Sequence, residues 1–135
     1  MIYLDTNVVI GCLTGRLPAL AERLERELLT DDIALPTIVL FELQYGIAKS
    51  ARPQDNAERL ATFLELPIVI LPFESGDAEE AGDIRAALER AGTPIGPYDI
   101  LIAAQARRRS ATLVTANLRE FAHVPRLKTE DWTAA

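Results

Sequence analysis

Asp5, Glu42, Asp99 and Asn117 are the side chains whose types and positions could do chemistry together. Asp5 ends the apolar run Met1-Ile2-Tyr3-Leu4 and precedes Thr6-Asn7, the pattern of a buried strand delivering an acid to its carboxyl end. In open α/β sheets, the crevice beyond those ends is where ligands bind. Carboxylates gathered there repel one another and are costly to desolvate together unless a cation compensates, so their convergence implies a hard divalent metal. A set of oxygen ligands favours Mg²⁺ or Mn²⁺. With few protein ligands, such an ion keeps open positions that bind phosphate oxygens and activate water, so phosphodiester hydrolysis is the implied chemistry.

That convergence requires strands alternating with helices. After the opening strand, Val8, Val9, Ile10 and Leu13 suit a short helix capped by Thr6 or Asn7 and ended by Gly15. Pro18 opens a second helix running to about Leu29, with Leu20, Leu24 and Leu28 on one side. Ile33-Ala34-Leu35-Pro36 reads as a strand, and Thr37 as the cap of a helix from Ile38 to about Lys49 that carries Glu42. A helix from Pro53, a strand Ile68–Leu71 and a helix from Ser75 to Ala91 closed by Gly92 follow. Tyr98-Asp99 begins the next helix, which places Asp99 in its first turn. Thr112–Thr115 is a strand, with Asn117 and Glu120 spaced as a capping pair beyond it. Val124 to Lys128 is expected as a last edge strand, with Trp132 packing behind it. The fold class is therefore α/β: a mainly parallel sheet of four to five strands, covered by helices on both faces.

Length and composition bound the partners. The 135 residues suit one domain, 1–135, able to bury a core without disulfides. A lone cysteine, Cys12, excludes an internal disulfide and multi-cysteine metal sites, which fits a reducing compartment. Pro36, Glu42, Pro67 and Pro72 interrupt every apolar run before it reaches the ~18 residues of a membrane span, and Asp5 interrupts any signal-peptide core. A cytoplasmic protein is expected. The net charge of −6 argues against a broad electrostatic grip on a polyanion, so nucleic acid could bind only where the acids are neutralised locally.

Each position also has a purely structural use. Asp5 can cap the helix that follows, Asp99 can complement a helix dipole, Glu42 can be a solvated helix residue, and Asn117 with Glu120 can form a capping box. Arg107-Arg108-Arg109 could touch a phosphate backbone or simply sit at a helix C-terminus. His123 has no second His or Cys with which to share a metal, and Cys12 has no paired base.

The motifs Leu4-Asp5-Thr6-Asn7, Glu42-Leu43-Gln44-Tyr45-Gly46, Gly92-Thr93-Pro94-Ile95-Gly96-Pro97-Tyr98-Asp99 and Val114-Thr115-Ala116-Asn117-Leu118-Arg119-Glu120-Phe121, with a closing Glu130-Asp131-Trp132, occur in family-like order. Through them the chain resembles the PIN-domain ribonucleases, and within them the VapC toxins of toxin–antitoxin systems. The resemblance implies a PIN-like α/β/α sandwich in which Asp5, Glu42 and Asp99 coordinate Mg²⁺ or Mn²⁺. It places Asn117 at the fourth site position, where many relatives carry Asp. It implies endonucleolytic cleavage of a structured RNA such as a tRNA or a ribosomal RNA loop. It also implies a homodimer and neutralisation by a VapB-like antitoxin.

Two other readings remain open at this stage. An Asp-nucleophile phosphatase or phosphoacceptor domain also carries an Asp after its first strand, although the phosphatase pattern wants an acid where Asn7 stands. A PIN fold with too few acids could serve only as a regulatory or antitoxin-binding module.

Overall fold

The structure is a computed structural model and describes residues 1–133. Its strands are β1 (Ile2–Leu4), β2 (Ile33–Pro36), β3 (Ile68–Leu71), β4 (Thr112–Val114) and β5 (Lys128–Glu130). They form one sheet in the order β3-β2-β1-β4-β5, with every neighbouring pair parallel. The helices are α1 (Thr6–Thr14), α2 (Pro18–Leu28), α3 (Thr37–Lys49), α4 (Pro53–Phe63), α5 (Ser75–Arg90), α6 (Pro97–Arg108) and the short α7 (Leu118–Phe121). The α/β class and the parallel sheet flanked by helices are as the sequence pattern predicts.

The order of the strands decides where the site can be. Successive strands step outward from β1 to β2 and β3 on one side, then to β4 and β5 on the other, so the topological switch lies between β1 and β4. Both strands are short and buried: Tyr3, Leu4, Leu113 and Val114 are fully enclosed. The core continues into Val8, Leu20, Leu35, Val39, Ile84, Leu88 and Ile102, apolar residues at helical or strand spacing that hold the helices against the sheet. The helices α5 and α6 pack on each other, as do α3 and α4, and α1 lies against α2 and α3.

Several boundaries differ from the expected ones. The N-cap of α1 is Asp5 and not Thr6 or Asn7: its backbone is extended and its carboxylate accepts the Thr6 N–H at 2.8 Å. Pro36 occupies the cap position of α3 without a side-chain bond, and Thr37 is already helical. The last strand is Lys128–Glu130, set further along than Val124 to Lys128 because the Val124 N–H turns back to the Phe121 carbonyl at 3.0 Å and Arg126 takes a positive φ of 61° that breaks an extended run. Trp132 is buried as expected, with the Arg23 guanidinium 5.1 Å from its ring centroid.

Candidate active site

Asp5 is delivered by β1 and tied to β4. Its N–H donates to the Val114 carbonyl at 3.0 Å, continuing the β1–β4 pairing one residue past the strand. One carboxylate oxygen accepts the Thr6 N–H, and the other accepts the Thr115 hydroxyl at 2.8 Å. The residue is 5% exposed. Burial pushes its carboxyl above the usual range, and the Glu120 charge adds to this, against the opposing hydrogen bonds from Thr115 and Thr6.

From there a chain of hydrogen bonds runs across the switch. The Thr115 hydroxyl also accepts the Asn117 N–H at 3.0 Å, the Asn117 side-chain amide donates to Glu120 Oε2 at 2.6 Å, and the Gly96 N–H donates to Glu120 Oε1 at 3.2 Å. Gly96 is the N-cap position of α6, so this chain ends at the turn that carries Asp99. Glu42 enters from α3, where its Oε1 accepts the Thr6 hydroxyl at 2.8 Å.

Asp99 shows that these acids share a field. Burial, followed by the charges of Asp5, Glu120 and Glu42 in that order, raises its pKa to about 7. None of the four forms an ion pair with a basic side chain among the described residues. No three acids among the described residues are already drawn in tightly enough to cage an ion. Mutual repulsion keeps uncompensated carboxylates apart, so an open, partly hydrated site is what such a set can offer.

The structure thus brings Asp5, Glu42 and Asp99 into one cluster, with Asn117 joined to it through Glu120. The Asn117 amide turns a donor toward Glu120, and neither residue makes the side-chain to backbone bonds of a capping box. Glu120, which the sequence favours as a capping partner while leaving a place in the site open, acts on Asp99 and so joins the cluster. The available signal was its spacing: three residues past Asn117 on a single helical turn, it points back toward the strand ends.

The arginine run after Ala106 is not free for phosphate. Arg107 pairs with Glu80 at 2.5 Å, and Arg108 and Arg109 both reach Asp77 Oδ1, at 3.2 and 3.0 Å. Asp77 also caps its own helix by accepting the Glu74 N–H. Burial would raise the Asp77 carboxyl, but the Glu74 N–H and both arginines outweigh it and hold the group below the usual range. His123 is exposed, and burial pushes the Cys12 thiol up to about 11, which leaves it inert as a nucleophile.

Comparison with known proteins gives the family of the chain. The PIN domain family model matches residues 2–127, and the chain belongs to that family. It is 39% identical over 129 residues to the tRNA(fMet)-specific endonuclease VapC of Salmonella typhimurium, covering 96% of each chain. It is 38% identical over 133 residues to ribonuclease VapC2 of Rickettsia felis, covering 98% of each. Among solved structures, VapBC2 from Rickettsia felis bound to a promoter DNA fragment superposes with a TM-score of 0.92 at 38% identity, over 98% of this chain and 99% of that one. DNA-bound VapBC from Salmonella typhimurium gives 0.89 at 37% identity, over 97% of each.

Proposed function

We propose that this protein is a divalent-metal-dependent endoribonuclease and the toxin half of a toxin–antitoxin pair. The observation that carries the reading is the acid cluster at the β1–β4 switch, where Asp99 is driven to about 7 by burial and by Asp5, Glu120 and Glu42, with no basic side chain among the described residues paired to any of them. The donor set consists of oxygens alone, which fits Mg²⁺ or Mn²⁺ held by Asp5, Glu42 and Asp99, with Glu120 as a fourth acid. The bound ion would supply Lewis-acid stabilisation of phosphate charge and a lowered pKa for water.

The chain's own residues set the rest. Thr115 and the Thr6 N–H fix the Asp5 carboxylate in one orientation, and the Thr6 hydroxyl does the same for Glu42. Asn117 and the Gly96 N–H hold Glu120 toward Asp99. Asp99, half protonated near neutrality without a cation, gives up its proton when positive charge arrives, and so couples ion binding to a change in local charge. Glu120 replaces the acid that Asn117 lacks, which speaks against an inactive module.

The relatives support the substrate and the partners. A structured RNA such as a tRNA or a ribosomal RNA loop fits the Salmonella relative's description as tRNA(fMet)-specific. A VapB-like antitoxin fits the VapBC structural neighbours. A cavity of about 600 Å³ lined by Leu13, Leu24 and Phe63 and rimmed by Glu25, Asp55 and Glu58 would receive an apolar and basic segment. The adjoining cavity of about 210 Å³ shares Leu13 and Arg59 with it and reaches Glu42, so such a segment could continue to the acids. A homodimer acting in the cytoplasm completes the proposal; no helix among the described residues is long and apolar enough to cross a membrane.

Inducing the protein alone in bacterial cells tests the reading. Growth arrest relieved by Asp5→Ala, together with Mn²⁺-dependent RNA cleavage lost in EDTA, is expected. Equal arrest by wild type and Asp5→Ala would refute it.

A further inference from the structure

Aromatic residues are scarce in this chain, and their distribution is uneven. Tyr3, Phe63, Phe121 and Trp132 are buried and Phe73 is half-buried, whereas Phe41, Tyr45 and Tyr98 are 51%, 59% and 46% exposed. The three exposed ones line a single groove of about 530 Å³, and that groove also contains Glu42, Thr6 and Asn7. We propose that Phe41, Tyr45 and Tyr98, with Lys49 at the end of the row, stack the unpaired bases of the RNA beside the phosphate held by the acids.

The placement follows from helix geometry. Phe41 precedes Glu42 on α3 and Tyr98 precedes Asp99 on α6, so each acid has an aromatic neighbour on the groove side. Phe41, Tyr45 and Lys49 recur four residues apart and form one stripe along α3. The Phe41 and Tyr98 ring centroids are 5.5 Å apart and the rings are tilted by 58°, so each keeps a face for another partner. Lys49 stands 4.8 Å from the Tyr45 ring centroid, a cation where an adjacent phosphate of a strand starting at Glu42 would pass.

Nucleobases fit this surface better than a peptide does. Rows of ring faces with an interleaved cation bind single-stranded nucleic acid because every base offers a π face. The neighbouring groove, lined by Ile10, Leu13, Leu43 and Ile47, is aliphatic and suits apolar side chains. Exposed aromatic faces beside the acids also provide an attraction that an overall charge of −6 does not.

The proposal rests on the ribonuclease reading but is tested separately, by binding. In an Asp99→Asn background that leaves the RNA uncut, anisotropy is measured with a fluorescein-labelled oligouridylate and with an abasic oligomer of equal length. Tyr45→Leu and Tyr98→Leu should each weaken oligouridylate binding by about 10-fold, while Tyr45→Phe and Tyr98→Phe keep it. The abasic oligomer should bind weakly and equally to all of them. Unchanged binding by the leucine variants overturns the proposal, as does an equal loss toward the abasic oligomer. A change in sedimentation with the leucine variants also overturns it, because the face would then belong to a second copy of the chain. Normal RNA cleavage with no tyrosine effect removes only the stacking surface. Stacking behaviour without cleavage by the wild type removes only the ribonuclease reading.

Discussion

Asp77 and Asp99 are both withdrawn from water near the start of a helix, and they behave in opposite ways. Asp77 is fully enclosed, yet it meets Arg108, Arg109 and the Glu74 N–H, and its carboxyl stays below the usual range. Asp99 is less buried, yet it meets Asp5, Glu120 and Glu42, and its pKa rises to about 7. The first acid has its counter-charge built into the fold and locks α5 to α6. The second has none among the described residues, and the same physics makes it a place where a cation from outside would bind. Burial of an acid therefore says little about its use; what surrounds the acid decides.

The largest test of this contrast is chemical. Asp5→Asn and Asp99→Asn should lower RNA cleavage by at least about 10²-fold, the scale on which removing one group that stabilises developing charge is felt. Gel analysis of cleaved RNA in Mn²⁺ checks this, and the folded fraction should not fall. Asp77→Ala should do the reverse. Removing the buried carboxylate that caps α5 and joins it to Arg108 and Arg109, which keep Glu74 as a partner, should cost about 1–3 kcal/mol of stability by urea titration, with cleavage per folded molecule preserved.

Metal and pH sharpen the comparison at smaller scale. Adding Mn²⁺ at 100 times its dissociation constant should stabilise the wild type by about 2.7 kcal/mol in thermal unfolding, and Asp99→Asn much less. Without metal, a carboxyl raised in the folded state binds its proton more tightly than in the unfolded chain. Stability from Asp99 is therefore present below its unfolded value and declines as pH rises toward about 7. Asp99→Asn should flatten that decline in metal-free thermal scans. Asp77 works the other way: its contribution is present above the unfolded value and is lost as pH falls below about 4. The smallest effect belongs to the exposed Arg85–Glu89 pair, where Arg85→Ala should change stability by under about 0.5 kcal/mol.

Sequence patterns carried most of the frame and the corners of the site. Apolar runs closed by Asp5 and by Thr115, and proline at the starts of α2 and α4, placed those strands and helices to within a residue or two, whereas Pro97, expected in a loop, opens α6, and β5 begins four residues later than expected. Asp5, Glu42 and Asp99 were legible because a parallel sheet must bring strand ends to one edge. Glu120 was not, because Asn117 and Glu120 at that spacing fit a capping box equally well, and only the Gly96 N–H, 24 residues away in sequence, shows where the carboxylate turns. The Arg107–Arg109 run was ambiguous for the same reason: its partners, Glu74, Asp77 and Glu80, lie on a different helix. Local spacing determines faces and caps, while long-range partners decide which acid is neutralised.

The most direct measurement is the number of protons released when Mn²⁺ binds the metal-free protein near pH 7, from calorimetric titrations in buffers of different ionisation enthalpy. With Asp99 at about 7, close to half a proton should leave per ion bound, and the release should vanish in Asp99→Asn. Binding with no proton release, or no binding at all, would contradict the claim that this acid cluster is completed by a divalent cation.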